Sequence, residues 1–285
     1  MTRTVYVDGE YLPYANAGVH AEDRGFQFGD GVYEVCEVRD RAIIDERRHV
    51  DRLARSLEEL DMSMPMSRGA LGNVMRETRR RNRVEDGLVY LQVTRGAAPR
   101  DFLFPSDNTR QTVVCLARHI AKDKGDDTSA KGIGVLTVPE ARWSRVDIKT
   151  VMLLASCMAK EKARAADAKE AWFVAPDGHV TEGASSNAWI VTMDGMLVTR
   201  PPDGKILNGI TRTVALEVAA AHDLELDERP FTVEEAKAAR EAFVTSASAG
   251  VMPVTAIDGS AVANGEPGAI ATSIRAAYHT HAEHS

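Results

Sequence analysis

The chain has 285 residues, of which 44% are hydrophobic and 27% charged, so it can bury a sizeable core and two domains are the natural expectation. Its 35 basic and 42 acidic side chains give a net charge of -7 and are interspersed along the chain, which leaves no basic stripe for nucleic acid. No window approaches the roughly 18 apolar residues of a membrane span, and the N-terminus lacks the apolar core of a signal peptide. We therefore expect a cytoplasmic protein with a small-molecule partner, and neither nucleic acid nor membrane.

The three cysteines, Cys36, Cys115 and Cys157, cannot all pair and show no CxxC spacing. A disulfide framework or a metal site is therefore not expected, and the cysteines resemble small core hydrophobes.

The first part of the chain alternates strand and helix patterns. Val and Tyr are frequent in the strand predicted at 31–39, and apolar residues three or four apart predict one buried face on the first predicted helix. In chain order, the pattern predicts a strand at 31–39, helices at 45–60 and 67–82, and strands at 87–95 and 111–117.

A polar stretch rich in Gly, Asp and Lys occupies residues 121–132. Such a composition cannot fill a core, so we predict an inter-domain linker there. The expected organisation is an α/β domain at 1–120 and a second α/β domain at 133–285, which would carry Lys149.

After the linker, residues 150–166 begin with a mostly apolar run, which predicts a largely buried helix. Residues 171–199 contain short apolar segments separated by two Asp-Gly turns, a pattern typical of a β-meander. The remaining predicted elements are helices at 211–222, 233–240 and 268–280, with a short strand at 242–245.

Lys149 stands directly before the predicted buried helix. A lysine at the rim of a buried element loses hydration and can act as a neutral, nucleophilic amine, which a Schiff base requires. The alternative is an ordinary lysine at a helix start that extends to solvent.

Two features could bind an anion. Residues 207–211 open a helix with a flexible Gly and a Thr hydroxyl, so its backbone N–H groups could hold a phosphate; the alternative, which the segment by itself favours, is an ordinary capped helix start. Arg52 lies beside Leu53 on the first predicted helix, where its guanidinium could bind an anion or form a surface ion pair.

Glu182 and Arg100 are the other candidates. Glu182 ends a strand before a run of small polar residues, which suggests close approach to a ligand or a plain polar turn. Arg100 lies in a loop containing Gly and Pro, where its guanidinium could bind a carboxylate or remain solvated.

The order of these features closely resembles the fold-type IV family of pyridoxal-phosphate enzymes, over nearly the whole chain. Within that family, the Arg-Trp segment before Lys149 and the loop around Arg100 are most similar to D-amino-acid transaminases. The segments that carry the resemblance are 24–34, 49–53, 142–149, 180–187, 209–212 and 243–246.

The resemblance implies a two-domain α/β architecture, a homodimer, and pyridoxal 5'-phosphate (PLP) as cofactor. It implies that Lys149 is the Schiff-base lysine and the catalytic base, and that Glu182 pairs with the pyridine nitrogen. The remaining cofactor contacts that it implies are Arg52, Gly209, Ile210 and Thr211 at the phosphate, Leu207 on the ring face, and Ala247, where the family pattern has a hydroxyl residue.

The implied reaction moves the amino group of a D-amino acid to a 2-oxo acid acceptor such as 2-oxoglutarate or pyruvate. The family pattern for the substrate carboxylate is a Tyr, an Arg and a His, which here correspond to Tyr33, Arg100 and Phe102. Phenylalanine donates no hydrogen bond, so this set keeps two members and loses one.

Other activities on the same scaffold stay open: a branched-chain L-aminotransferase, an (R)-amine transaminase or an aminodeoxychorismate lyase. A non-catalytic binding protein with this fold is the alternative from a different class.

Overall fold

A computed structural model describes residues 3–285, apart from the side chains at 122–124. The backbone forms two compact units, each built on a β-sheet with helices, so the predicted α/β class is confirmed. The first unit comprises the chain up to Lys122 together with Ile148–Met152 and Glu283–Ser285, and the second comprises Asp123–Asp147 and Leu153–Ala282.

The sheet of the first unit has six strands in the order β2-β1-β6-β5-β3-β4, and every neighbouring pair is antiparallel. The strands are β1 (Thr4–Val7), β2 (Glu10–Pro13), β3 (Gly31–Arg39), β4 (Ala42–Ile43), β5 (Gly87–Thr94) and β6 (Thr112–His119).

The α-helices of the first unit are α1 (Arg24–Phe28), α2 (Glu46–Glu58) and α3 (Arg68–Arg81), and a 3-10 turn lies at Tyr14–Asn16. The predicted helices at 45–60 and 67–82 are thereby confirmed to within two residues at each end. Leu53 and Leu57 on α2 are fully buried, one turn apart, in the core that also contains Leu71 of α3. The three- and four-residue spacing of the apolar side chains therefore gives each helix one buried face.

Residues 148–152 belong to the first unit because they extend its sheet. The N–H of Tyr33 donates to the carbonyl of Lys149 at 3.0 Å, and the N–H of Val151 donates to the carbonyl of Gly31 at 3.0 Å. Strand β4 pairs only with the end of β3, so the start of β3 offers an open edge, which these residues occupy. Lys149 thus lies in the first unit, whereas we expected it in the second.

The predicted linker contains a helix, α4 (Lys122–Lys131). Arg275 donates to Asp126 at 3.0 Å, and both residues belong to the second unit. A polar composition excludes this segment from the core but does not prevent a surface helix, because exposed helices need few buried apolar residues.

The sheet of the second unit has nine strands in the order β12-β11-β10-β13-β14-β7-β8-β9, with β15 paired to β14. It is mixed: β14 with β7, β7 with β8, and β11 with β12 are parallel. The strands are β7 (Ile133–Pro139), β8 (Glu170–Val174), β9 (Val180–Gly183), β10 (Asn187–Val191), β11 (Leu197–Thr199), β12 (Leu226–Glu228), β13 (Glu241–Ser246), β14 (Gly250–Ile257) and β15 (Ser260–Ala261).

The helices of the second unit are α5 (Leu154–Ala165), α6 (Ile210–Ala221), α7 (Val233–Lys237) and α8 (Ala269–His281). Within the described residues 3–285, no helix is long and apolar enough to span a membrane. The core on the sheet contains large aromatic side chains, Trp172, Phe231, Trp189 and Phe243, in two ring pairs.

The predicted buried helix at 150–166 was wrong in its start and in its burial. Residues 150–153 are not helical, and α5 buries only the small side chains Ser156, Ala159 and Ala163. Leu154 and Met158, on which the prediction depended, are 74% and 56% exposed. The apolar run reflects two different structures, a sheet edge and then a surface helix, which periodicity alone could not separate.

Candidate functional site

The first group of candidate residues surrounds Lys149. Its neighbour Ile148 is buried in the core of the first unit, and its own backbone N–H donates to the Ser56 hydroxyl at 3.4 Å. The Lys149 Nζ lies 4.2 Å from the centre of the Tyr33 ring, which attracts a cation through its π face. Backbone pairing to β3 therefore fixes a half-buried amine beside Tyr33.

Tyr33 is held by a second aromatic ring. It stacks on Tyr90 of the neighbouring strand β5, with ring centroids 5.5 Å apart and an interplanar angle of 27°. Stacking of this kind fixes the ring plane, so the Tyr33 phenol has a defined direction.

Arg52 takes part in a buried charge cluster. Its Nε donates to Glu34 Oε1 at 2.8 Å and its Nη2 donates to Oε2 at 2.7 Å, while His49 Nδ1 lies 2.7 Å from the same Oε2. Burial raises the pKa of Glu34, but the charge and hydrogen bonds of Arg52 and His49 outweigh it and lower the pKa to about 2. Burial lowers the pKa of His49 more than the charge of Glu34 raises it.

The local sequence explains this cluster. Successive side chains of β3 point to opposite faces, and Glu34 shares the inward face with Val32 and Cys36. On α2, His49 and Arg52 are three residues apart and so lie on one face of the helix. Packing of α2 onto β3 therefore brings His49 and Arg52 to the carboxylate of Glu34.

Arg100 and Phe102 lie elsewhere in the first unit. The guanidinium of Arg100 lies 4.6 Å above the Phe28 ring, and its Nη1 donates to Gln27 Oε1 at 3.5 Å. The ring of Phe102 is 86% exposed and tilted against Phe28, with centroids 5.9 Å apart. Among the described residues of this chain, neither side chain forms a hydrogen bond with Tyr33.

The second group of candidates surrounds the carboxylate of Glu182, at the end of β9. Arg142 Nη1 donates to Oε1 at 2.5 Å, while Asn187 Nδ2 and the backbone N–H of Leu207 donate to Oε2 at 2.9 Å and 3.0 Å. Glu182 itself is buried. Three donors on one buried carboxylate hold it ionised and in one orientation.

Arg142 links Glu182 to a second acid. Its Nη2 donates to Glu140 Oε2 at 2.7 Å, and the Thr181 hydroxyl donates to the same oxygen at 2.8 Å. Burial raises the pKa of Glu140, but the hydrogen bonds and charge of Arg142 outweigh it and lower that pKa. The one half-buried cation of Arg142 thus pairs with two carboxylates.

The turn at 207–209 leads into α6, whose N-cap is Gly209. No side chain caps this helix start, although Thr211 of its first turn is buried. The first backbone N–H groups of a helix lack partners within the helix, and together with the helix dipole they attract an anion.

Ala247 lies in the turn between β13 and β14, where the family pattern has a hydroxyl residue. Its two neighbours both carry one: Ser246 Oγ and Ser248 Oγ are 3.4 Å apart. The turn therefore offers hydroxyl groups beside the expected position.

The sequence reasoning missed Glu34, Arg142 and Asn187 as members of these clusters. For Glu34 a signal existed, because an acid on the inward face of a Val- and Cys-containing strand must find a cation when buried. Nothing local indicated the partners of Arg142 and Asn187. Within the described residues, no group of three or more His, Cys, Asp or Glu could hold a metal ion.

The family model of amino-transferase class IV matches residues 31–257. The chain belongs to this family of PLP-dependent aminotransferases, which confirms the family predicted from the sequence.

Individual proteins support this relationship. A D-alanine aminotransferase of Staphylococcus haemolyticus is 37% identical over 280 residues, which are 98% of this chain and 98% of that protein. A D-alanine aminotransferase of Bacillus licheniformis is 36% identical over 273 residues, covering 96% of this chain and 95% of the relative. The solved branched-chain aminotransferase of the thermophilic archaeon Thermoproteus uzoniensis, with norvaline, has a TM-score of 0.85 and 26% identity, covering 98% of this chain and 94% of that chain.

Proposed function

We propose that this PLP-dependent aminotransferase transfers the amino group of D-amino acids to 2-oxo acids such as 2-oxoglutarate or pyruvate. One observation carries the proposal: a fixed lysine amine, that of Lys149, lies beside Tyr33 in a chain that corresponds over nearly its whole length to D-alanine aminotransferases.

The phosphate of the cofactor needs backbone donors and positive charge. The uncapped start of α6 at Gly209, Ile210 and Thr211 fits the first need, because its N–H groups and dipole favour an anion. Arg52 fits the second, since Glu34 fixes its guanidinium plane. We assign the phosphate to these residues, with the hydroxyl-flanked turn at Ala247 as a further contact.

The pyridine ring needs an anion at its nitrogen and an apolar surface on its face. Glu182 fits the first role, because Arg142, Asn187 and the Leu207 N–H keep its carboxylate ionised and oriented. An ionised carboxylate there holds a proton on the ring nitrogen. The side chain of Leu207 would cover the ring face.

When bound, PLP supplies the electron sink that accepts the electron pair of the substrate Cα–H bond. Lys149 would bind the cofactor covalently and, once displaced by the substrate amino group, remove the proton from Cα. Tyr33, fixed by stacking on Tyr90, would direct the lysine amine.

The substrate carboxylate would be bound by Tyr33 and Arg100. Phe102 replaces the histidine of the family pattern, so one hydrogen bond worth about 0.5–1.5 kcal/mol is missing from this set. We therefore expect weaker selection for a carboxylate, and activity toward some (R)-amines that lack one.

We further propose a homodimer in the cytoplasm. Phe26, Phe102, Leu103 and Phe104 are each at least 59% exposed in the single chain, and apolar surface of this extent is usually covered by a partner. The free cysteines Cys36, Cys115 and Cys157 are compatible with a reducing compartment.

Cofactor binding and handedness test the proposal. The purified enzyme, loaded with PLP and reduced with borohydride, should carry the cofactor on the peptide that contains Lys149, and Lys149→Ala should abolish this label. Loaded enzyme offered racemic alanine and 2-oxoglutarate should consume the D-isomer. Consumption of only L-alanine or L-leucine would identify a branched-chain L-aminotransferase instead. A protein that stays colourless with PLP and carries no borohydride-reduced cofactor on Lys149 would refute the proposal that it is an enzyme of this kind.

A further inference from the structure

We propose that Asn187 is a positioning residue of the cofactor site, which fixes the Glu182 carboxylate and the turn at 207–209 as one unit. The inference rests on the proposed role of Glu182 at the ring nitrogen. Asn187 was not among the expected site residues, and it would act through Glu182 and the turn at 207–209.

The amide nitrogen of Asn187 is fully used. Nδ2 donates one hydrogen bond to Glu182 Oε2 at 2.9 Å and another to the carbonyl of Leu207 at 2.8 Å. An asparagine amide has two hydrogens, so both have partners in these two groups. The residue is 4% exposed, so water does not compete for either bond.

The amide oxygen of Asn187 abuts the backbone at the start of α6. A Cβ built on Gly209 would lie 2.0 Å from Asn187 Oδ1, well inside the contact distance of two atoms. Only glycine fits there, because Asn187 occupies the space that a side chain would need. Asn187 therefore lies against three residues of the proposed cofactor site. These are Glu182 at the ring nitrogen, Leu207 at the ring face and Gly209 at the phosphate.

The amide is itself held firmly. Asn187 begins β10 and pairs with Thr245 of the central strand β13, so its backbone cannot shift without disturbing the sheet. Glu182 receives Leu207 N–H on the same Oε2, which closes a small ring of hydrogen bonds through Asn187, Glu182 and Leu207. Loss of the amide should loosen both the carboxylate and the turn at once.

Replacing the amide by a carboxylate is the sharpest change. Asn187→Asp keeps the size but places an acid 2.9 Å from Glu182 Oε2 and against a carbonyl oxygen, where it cannot donate unless protonated. Two acids this close share a proton rather than both ionise, which reduces the negative charge available to the ring nitrogen. Asn187→Ser is a milder variant that replaces the two amide donors with one hydroxyl on a shorter side chain and adds no charge.

The experiment measures the loaded enzyme with PLP labelled with ¹⁵N in its ring. The ¹⁵N resonance reports the proton on the ring nitrogen, the ³¹P resonance reports the phosphate, and fluorescence titration gives the PLP dissociation constant. Asn187→Asp should move the ¹⁵N resonance toward that of the unprotonated ring and raise the dissociation constant at least tenfold. Asn187→Ser should move both in the same direction by less.

Asn82→Asp is the matched control. Asn82 also donates from Nδ2 to two carbonyls, those of Thr4 and Thr78, but it belongs to the first unit. Its replacement should lower stability and leave the ¹⁵N resonance of the remaining loaded enzyme unchanged.

Gly209 provides a second, independent arm. Gly209→Ala should raise the PLP dissociation constant and shift the ³¹P resonance, because the new Cβ displaces Asn187. Adding Asn187→Ser removes the overlapping atom, so the double variant should bind PLP more tightly than Gly209→Ala alone. If the loss of PLP binding free energy in the double variant equals the sum of the losses in the two single variants, Asn187 and Gly209 do not act on each other.

Glu182→Gln distinguishes a failure of the Asn187 role from a failure of the proposed role of Glu182. If it leaves the ¹⁵N resonance unchanged, the proposed role of Glu182 at the ring nitrogen is wrong. If Glu182→Gln moves the resonance while Asn187→Asp and Asn187→Ser leave it in place, the positioning role of Asn187 is overturned and the proposed function stands.

Discussion

Arg52 and Glu34 face each other as a paired fork, with Nε on Oε1 at 2.8 Å and Nη2 on Oε2 at 2.7 Å. Two parallel hydrogen bonds fix the guanidinium plane as well as its position, which one bond could not do. His49 contacts the second oxygen of Glu34 and fixes that carboxylate. The buried carboxylate in turn fixes the orientation of Arg52.

Arg52→Lys should therefore weaken PLP binding while the charge is kept. A lysine cannot make the paired contact, so the cation would lose its fixed orientation toward the phosphate. We expect the PLP dissociation constant to rise about tenfold, or ~1.4 kcal/mol, in a fluorescence titration.

Arg55→Lys on the same helix is the control for that variant. Arg55 is exposed and pairs with Glu59 at 3.5 Å on the surface of α2, so its replacement should leave PLP binding unchanged. Equal affinities for the wild type and Arg52→Lys would show that the fixed guanidinium plane of Arg52 does not contribute to PLP binding.

His49 should make stability depend on pH. Burial lowers the pKa of His49 below its usual 6.5, so near and below that pH the unfolded chain binds a proton that the folded chain does not. Stability contributed by His49 is complete above pH 6.5 and is lost as the pH falls toward the lowered folded value. The free energy of unfolding, measured with urea between pH 7.5 and 5.5, should fall more steeply with falling pH in the wild type than in His49→Asn. The difference between the two slopes should be up to about 1.4 kcal/mol per pH unit.

His20→Asn, at an exposed histidine on a loop, is measured alongside as the control for replacing a histidine by asparagine. A His49→Asn variant with the wild-type slope would mean that the imidazole is not held neutral by burial.

Arg142 should be costly to remove, because it neutralises the buried carboxylate of Glu182 and the half-buried carboxylate of Glu140. Arg142→Met leaves Glu140 and Glu182 without their cation, and breaking a buried ion pair from one side costs about 3–5 kcal/mol. Adding Glu140→Gln removes one of the unpaired charges and should recover part of the loss. Urea unfolding measures both variants, with Arg145→Met, a largely exposed arginine paired to Asp147, expected to cost at most about 1 kcal/mol.

If the double variant is no more stable than Arg142→Met alone, the loss does not come from the unpaired acids. Lost packing of Arg142 over the Phe173 ring, 4.5 Å below its guanidinium, would then be the explanation.

The elements that a sequence pattern could predict are those whose burial repeats regularly. Strand β3 and helices α2 and α3 follow periods of two and 3.6 residues, and their predicted bounds were confirmed closely. Residues 150–158 carry an equally apolar run, yet they divide into a sheet edge and a surface helix. Residues 149–151 pair with the open edge of β3, which lies more than 100 residues earlier in the chain. The local sequence pattern therefore could not predict their structure.

The candidate site follows the same rule. Residue types with a motif around them, such as Lys149 and Glu182, could be proposed from order along the chain. Their partners could not, because Arg142 and Glu182 are 40 residues apart and meet only through the pairing of β8 with β7 and β9. Contacts between distant segments depend on topology, and a single sequence does not contain it.

Phe102→His tests the missing member of the carboxylate set. A histidine can donate the hydrogen bond that phenylalanine cannot, so kcat/KM for D-alanine should rise about 2- to 12-fold, which corresponds to 0.5–1.5 kcal/mol. The ring of Phe102 is 86% exposed in the single chain and its centroid lies 5.9 Å from that of Phe28, so the substitution should cost the fold of the single chain little stability, whatever contact Phe102 makes in the proposed homodimer.

An amine without a carboxylate, (R)-1-phenylethylamine, separates substrate recognition from a general gain in activity. Its kcat/KM should stay unchanged or fall with Phe102→His, because the new donor has no carboxylate to bind. Phe102→Leu, which is apolar and cannot donate, should leave kcat/KM for D-alanine near the wild-type value. A gain shared equally by D-alanine and the amine would show that position 102 acts on the site without contacting the carboxylate, and the relaxed substrate range would then need another cause.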